Sequence, residues 1–195
     1  ARIDDRIYRQ RVEQARAATG EVQLGKLFTA EFDFAIPDYQ RPYSWGSDET
    51  LQLLDDLQGS LDRDTDEPYF LGSVVLVKEK GQPAAEVIDG QQRLTTLTII
   101  LAVLRDLATD VSLRTDIHRF IEEPEVLWDS RPAKARLRLR ERDAKFFREH
   151  IQSPGHISSL VDLSDNQTTT DAQRAIRDNA AALWVRLSAL SDAER

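Results

Sequence analysis

With 195 residues and a net charge of −8, this chain is long enough for one well-buried domain but lacks the Lys and Arg excess that nonspecific wrapping of nucleic acid requires. The absence of cysteine excludes a disulfide framework, a Cys-based metal site and a thiol nucleophile, and His118, His150 and His156 are too scattered for zinc-ligand spacing. No apolar run is long enough to span a bilayer and no signal-peptide pattern opens the chain, so no membrane partner and a cytoplasmic setting are expected.

The absence of methionine, an initiator included, suggests that Ala1 is not the natural start or that the chain is a piece excised from something longer. A helical lead-in is expected over residues 1–20, ending at Gly20. Leu24 to Phe28 reads as a helical turn, and Phe32 to Ile36 alternates as a strand that must stop at Pro37. The loop IPDYQRPYSW, Ile36 to Trp45, holds two prolines and three aromatics, which makes it ordered and non-helical. Its aromatics either pack the loop onto the core or frame Gln40 and Arg41 as polar heads facing a ligand. We read Gln40 and Arg41 as functional and Trp45 as packing.

Ser47 begins an amphipathic helix, with Ser47 or Asp48 as N-cap and Leu51, Leu54, Leu57 and Leu61 on one face. Asp55 and Asp56 diverge on that helix, which favours solvent or arginine partners over a shared metal ion. After a polar loop, Asp62 to Pro68, the run YFLGSVVLV from Tyr69 to Val77 reads as a buried strand. Its Gly72-Ser73 pinch would let a ligand or another backbone come close. A polar turn from Lys78 to Pro83 returns the chain so that Ala85 to Ile88 pairs antiparallel with that strand.

At Asp89-Gly90 the period changes from strand to helix, with Leu97, Leu101 and Leu104 at helical spacing. A strand that turns directly into a helix leaves the helix's first N–H groups unpaired, an anion site in outline. Arg93 in that first turn opposes the helix dipole by about 0.3–1 kcal/mol unless an anion offsets it. Two readings remain open: a phosphate held between the amides and the guanidinium, or an ion pair of Arg93 with Asp89 or Asp55 and glutamines that only cap the turn. No GxxxxGK[ST] and no GxGxxG occurs, so a nucleotide would be bound by another geometry.

Asp110 to Ile121 suggests a further helix. In RPAKARLRLRERDAKFFREHI, Arg136, Arg138 and Arg140 alternate with Leu137 and Leu139, which as a strand sets three guanidinium groups on one face. That stripe is either a charged edge that resists aggregation or a nucleic-acid contact. A helix over Asp143 to Ile151 puts Phe146 and Phe147 in the core. Ser153 to Thr170 reads as loop with a short helix, and Asp171 to Leu190 as a closing helix.

IPDYQRPYSW, YFLGSVVLV and VIDGQQRLTTL, in that order, together with the downstream ARLRL and Asp143-Phe146-Phe147 elements, resemble the N-terminal domain of the GmrSD, SspE and BrxU group of bacterial anti-phage restriction proteins. The resemblance implies an α+β fold: a compact ParB/sulfiredoxin-like mixed sheet with flanking helices and a C-terminal helical extension. The expected organisation is a nucleotide-binding core over 21–110 and a mainly helical extension over 111–195 that forms one unit with it. Implied activity is hydrolysis of GTP or ATP with Mg2+, coupled to modified DNA (phosphorothioate or modified cytosine) and gating a separate C-terminal HNH-type nuclease domain of the same bacterial protein. No nuclease activity is expected in this chain, and homo-oligomerisation is left open.

In this reading Asp89 holds Mg2+, Gln91 or Gln92 orients the attacking water, and Arg93 stabilises phosphate charge. Gly90, Arg41, Thr95 and Ser73 join the nucleotide site, while Tyr39, Gln40, Arg136, Arg138 and Arg140 meet DNA. The alternative is a non-catalytic module that only senses modified DNA or nucleotide.

Overall fold

The computed structural model describes residues 20–63 and 69–193, with side chains described to residue 190. The expected lead-in therefore lies outside the described residues apart from Gly20. The elements in chain order are α1 (Leu24–Leu27), β1 (Asp33–Ala35), α2 (Ser47–Leu61), β2 (Val75–Lys78), β3 (Ala84–Asp89), α3 (Gln91–Leu107) and α4 (Val111–Ile121), then β4 (Glu122–Glu123), β5 (Lys134–Ala135) and β6 (Leu137–Arg138), and finally α5 (Glu141–Phe147), α6 (Ile157–Val161) and α7 (Asp171–Ala193). The architecture is α+β.

Four strands form a mixed sheet in the order β2-β3-β1-β6. β3 and β6 run parallel to β1, and β2 pairs antiparallel with β3, as the polar turn before Ala84 requires. β6 comes from the second half of the chain, so the sheet itself ties residues beyond 111 to the core. One continuous apolar core runs from Phe28 and Phe34 through α3 to Ile176, Leu183 and Leu187 on α7.

α3 is the axis of that core. Its buried positions include Leu94, Leu97, Ile99, Ile100, Ala102 and Val103, a wider set than the expected Leu97, Leu101 and Leu104 stripe. Leu101 is only half-buried and Leu104 is partly exposed, because α4 and α7 pack on other sides of the helix. Two of the buried threonines on α3 are satisfied locally: the Thr95 and Thr98 hydroxyls donate to the carbonyls of Gln91 and Leu94 at 2.8 and 2.9 Å.

Four expectations are corrected. The buried strand expected over Tyr69 to Val77 is reduced to β2, an edge strand with exposed ends, and Gly72-Ser73 lies before it, with Gly72 at φ +109°. The cap of α2 is Gly46, whose N–H donates to Glu49 Oε2 at 2.9 Å, and Leu61 is exposed. The helix expected over Asp143 to Ile151 is α5 followed by a wide π turn, Arg148–Gln152. Its carbonyls are gathered by buried Arg105, which donates to Ile151, Gln152 and Ser153 oxygens at 2.9–3.1 Å.

The last correction is the basic stripe. The chain changes partner at Arg136: β5 pairs with β4 in a small ribbon, whereas β6 joins the main sheet. Arg136 is buried and its Nε donates to the Arg119 carbonyl at 2.8 Å, while Arg140 pairs with Asp143. Arg138 alone of the three is exposed, so no face of three guanidinium groups forms.

Candidate functional site

The site is built where β3 ends and α3 begins. Gly90 makes the turn at φ +90°, and a Cβ there would meet Val74 and the Ser73 carbonyl at 3.0–3.1 Å. Glycine is thus required twice, by conformation and by close approach. No side chain caps the first turn of α3, so its leading amides are left to solvent or a ligand.

The IPDYQRPYSW loop crosses this helix end and is fastened to it. Gln92, 5% exposed, accepts at Oε1 from the Ser44 and Trp45 amides at 2.8 and 3.2 Å, and its Nε2 donates to the Pro42 carbonyl at 3.1 Å. Gln91 Nε2 donates to the Arg41 carbonyl at 3.1 Å. Behind them the Tyr43 hydroxyl meets Thr96 Oγ1 at 2.8 Å, and buried Asn179 on α7 donates to Tyr43 and to the Trp45 carbonyl, both at 2.8 Å. Burial pushes the Tyr43 phenol above its usual range, so it stays a neutral link in this network. Gln40 Nε2 donates to the Ile88 carbonyl at 3.0 Å, and the Tyr39 hydroxyl, on an exposed ring, donates to Glu86 at 3.0 Å.

Arg93 is half-buried. Its guanidinium lies against the Gly72 backbone, 5.9 Å from the Trp45 ring centre, with Nη1 at 3.4 Å from the Ser73 carbonyl. Its Nε is buried without a hydrogen-bond partner, and among the described residues no carboxylate pairs with it. The alternative partners are elsewhere: Asp55 pairs with Arg186, and Asp89 is exposed and makes no ion pair among the described residues. Arg41 is exposed too, with no carboxylate against its guanidinium among the described residues.

On the other side of the helix end lies a small cleft lined by Ile36, Arg41, Tyr43, Gln91, Gln92, Thr95, Leu139, Arg140 and Asp143, with a free interior of about 10 Å3. Gln91 and Thr95 line it while Arg93 does not, because a step of two residues turns the helix by about 200°. The cleft admits a water but not a nucleotide. Asp143, 3% exposed, enters the sequence reading as a helix residue and as part of the Asp143-Phe146-Phe147 element of the resemblance, without a site role, and it supplies the cleft's carboxylate. Arg140 Nε and Nη2 both hold its Oδ2, at 3.0 and 2.6 Å, and Arg140 Nη1 reaches the Gln40 carbonyl at 3.2 Å. Oδ1 has no hydrogen-bond partner among the described residues. The i, i+3 spacing of Arg140 and Asp143 at the start of α5 was the available signal.

The expected site residues thus fall into three sets. Asp89, Gly90, Arg93 and Ser73 share one side of the helix end. Arg41, Gln91, Gln92 and Thr95 share the cleft side, joined by Arg140. Tyr39 and Gln40 lie along β3, Arg138 stands apart on β6, and Arg136 is buried against α4.

The donors fit a magnesium–nucleotide in kind. Among the described residues no cluster of three His, Cys, Asp or Glu could hold a metal ion alone. Mg2+ ordinarily takes one or two carboxylates together with phosphate oxygens and waters, and Asp89 offers one such carboxylate.

Among the described residues no helix is long and apolar enough to cross a membrane. No curated protein matches the chain. Residues 24–189 match the family model described as GmrSD restriction endonuclease, N-terminal domain. The match takes in every element from α1 to most of α7, and on that extent the chain belongs to the GmrSD N-terminal domain family, the N-terminal part of a restriction endonuclease.

Proposed function

We propose that this domain binds a nucleoside triphosphate, GTP or ATP with Mg2+, at the N-terminus of α3 and hydrolyses it. Its nucleotide state would gate a separate HNH-type nuclease domain in response to modified DNA. One observation carries the reading: two guanidinium groups without carboxylate partners among the described residues, Arg41 and Arg93, flank a helix end whose leading amides no side chain caps. A cation held in the first turn is unfavourable until an anion arrives, and a triphosphate supplies that anion.

Asp89 and the phosphate oxygens would hold the Mg2+, which when bound would neutralise charge on the phosphates. The chain's own residues bind and orient. The α3 amides take the terminal phosphates across the helix end, between Arg93 on one side and Arg41 on the cleft side, and Gly90 and the Ser73 segment permit close approach. The Gln92 and Asn179 contacts keep the loop in place. A ParB/sulfiredoxin-like use of a strand-turn-helix unit for phosphates is in keeping with this arrangement. The test is phosphate release from GTP and ATP by the purified chain: turnover is expected, and Arg93→Ala should abolish it. Equal turnover by both proteins would overturn the assignment.

A second reading, a module that senses modified DNA without turnover, draws on exposed Tyr39 and exposed Arg138. Gel shifts with modified and unmodified duplexes distinguish it, and equal affinity for both would count against sensing.

A further inference from the structure

We infer that Asp143 is the catalytic base of this site, the group that takes the proton from the water attacking the terminal phosphate. The inference rests on the nucleotide-hydrolysis reading above and supplies what that reading lacks. The glutamines expected to orient water supply no base: Gln92 uses both ends of its amide on the loop, and Gln91, whose Nε2 donates to the Arg41 carbonyl, offers only a neutral amide oxygen.

Asp143 is the carboxylate in the cleft beside the α3 N-terminus, and it is 97% enclosed. One oxygen is fixed by two hydrogen bonds from Arg140, and the other has no partner among the described residues. A carboxylate held by a guanidinium fork on one oxygen presents the second in a defined direction, which is the preorganisation a general base needs. The free interior of about 10 Å3 suits one water. Beside Asp143 the polar residues lining the cleft include Arg41 and Gln91, with Ile36 and Leu139 as apolar lining.

The step balances as follows. The water oxygen bonds to the terminal phosphorus, the bond from phosphorus to the bridging oxygen breaks, and the nucleoside diphosphate leaves with that electron pair. The water proton passes to Asp143 Oδ1 and is then released to solvent or to the freed phosphate. Arg140 acts through Asp143, whose Oδ2 it holds, and is a positioning residue.

The experiment compares wild type with Asp143→Asn for nucleotide-induced thermal stabilisation and for kcat with Mg-GTP and Mg-ATP. Expected is retained stabilisation and a kcat lower by about 100-fold or more. Retained stabilisation with kcat within about 3-fold of wild type overturns the role of Asp143 while leaving the nucleotide site standing. A wild-type chain that neither binds nor hydrolyses nucleotide overturns both. Should Asp143→Asn fail to fold, Asp143→Glu keeps the charge and the Arg140 pair but displaces the carboxylate. That variant should bind nucleotide normally and lose about 10-fold or more in kcat, and an unchanged rate refutes the assignment.

Discussion

Replacing Gln92 with alanine separates a clamp from a water-orienting group. The side chain satisfies three backbone groups, the Ser44 and Trp45 amides and the Pro42 carbonyl. Each group left unsatisfied costs about 1–3 kcal/mol when buried, and exposed Ser44 lets water recover part of that. A total of about 3 kcal/mol follows at the low end of that range, with no further cost counted for the lost packing. In a domain of this size it lowers Tm by about 6–12 °C. Gln92→Glu keeps the acceptor for both amides but turns an oxygen toward the Pro42 carbonyl, so it should fall between wild type and alanine. Differential scanning calorimetry on the three proteins reads the order directly. A Tm drop under about 2 °C for Gln92→Ala, accompanied by lost turnover, would show that the glutamine serves chemistry rather than the loop.

Three further outcomes follow from the same contacts. Gly72→Ala places a methyl 2.6 Å from the Arg93 Cζ on a backbone at φ +109°, whereas Gly81→Ala at φ +82° meets nothing within 4 Å. Both should lose about 1–3 kcal/mol to backbone strain, but Gly72→Ala alone should also weaken nucleotide-induced stabilisation, measured by thermal shift. Arg105→Met removes the partner of Asp106 and of three carbonyls after α5, so a loss of about 3–5 kcal/mol is expected in chemical denaturation. His118 is held below its ordinary value of 6.5, first by burial and then by Arg105 beside it. The folded state therefore binds this proton less tightly than the unfolded chain, and stability that is complete above pH 6.5 is lost as pH falls below it. Between pH 7.5 and 5.5 the decline in Tm should be shallower for His118→Gln than for wild type, and equal slopes would disprove it.

The strand, the Asp-Gly turn and α3 were legible because they are local: a change of period and a turn dipeptide suffice to place them. The antiparallel return of β3 on β2 was legible for the same reason. The run from Tyr69 to Val77 misled because its composition is that of a strand, while Gly72 takes a positive φ to make room for a guanidinium twenty-one residues away in sequence. The arginine alternation misled because side-chain alternation assumes one continuous strand, and Arg136 sits where the chain leaves one sheet for another. Asn179 and Arg105 act over long separations and carry no local signature, so their part in holding the loop and the π turn is visible only in three dimensions. Arg93 was recognised as misplaced from helix electrostatics alone, although its packing against Gly72 and Trp45 was not.

The claim on which the account depends is that the start of α3 receives triphosphate oxygens. The most direct measurement is a thermal-shift titration of the wild-type chain and Arg93→Ala with GTP and ATP in the presence of Mg2+. At nucleotide near 100 times Kd, binding contributes about 2.7 kcal/mol, and wild type should gain roughly 5–11 °C while the variant gains little. Equal shifts in the two proteins, or none in either at millimolar nucleotide, would contradict it.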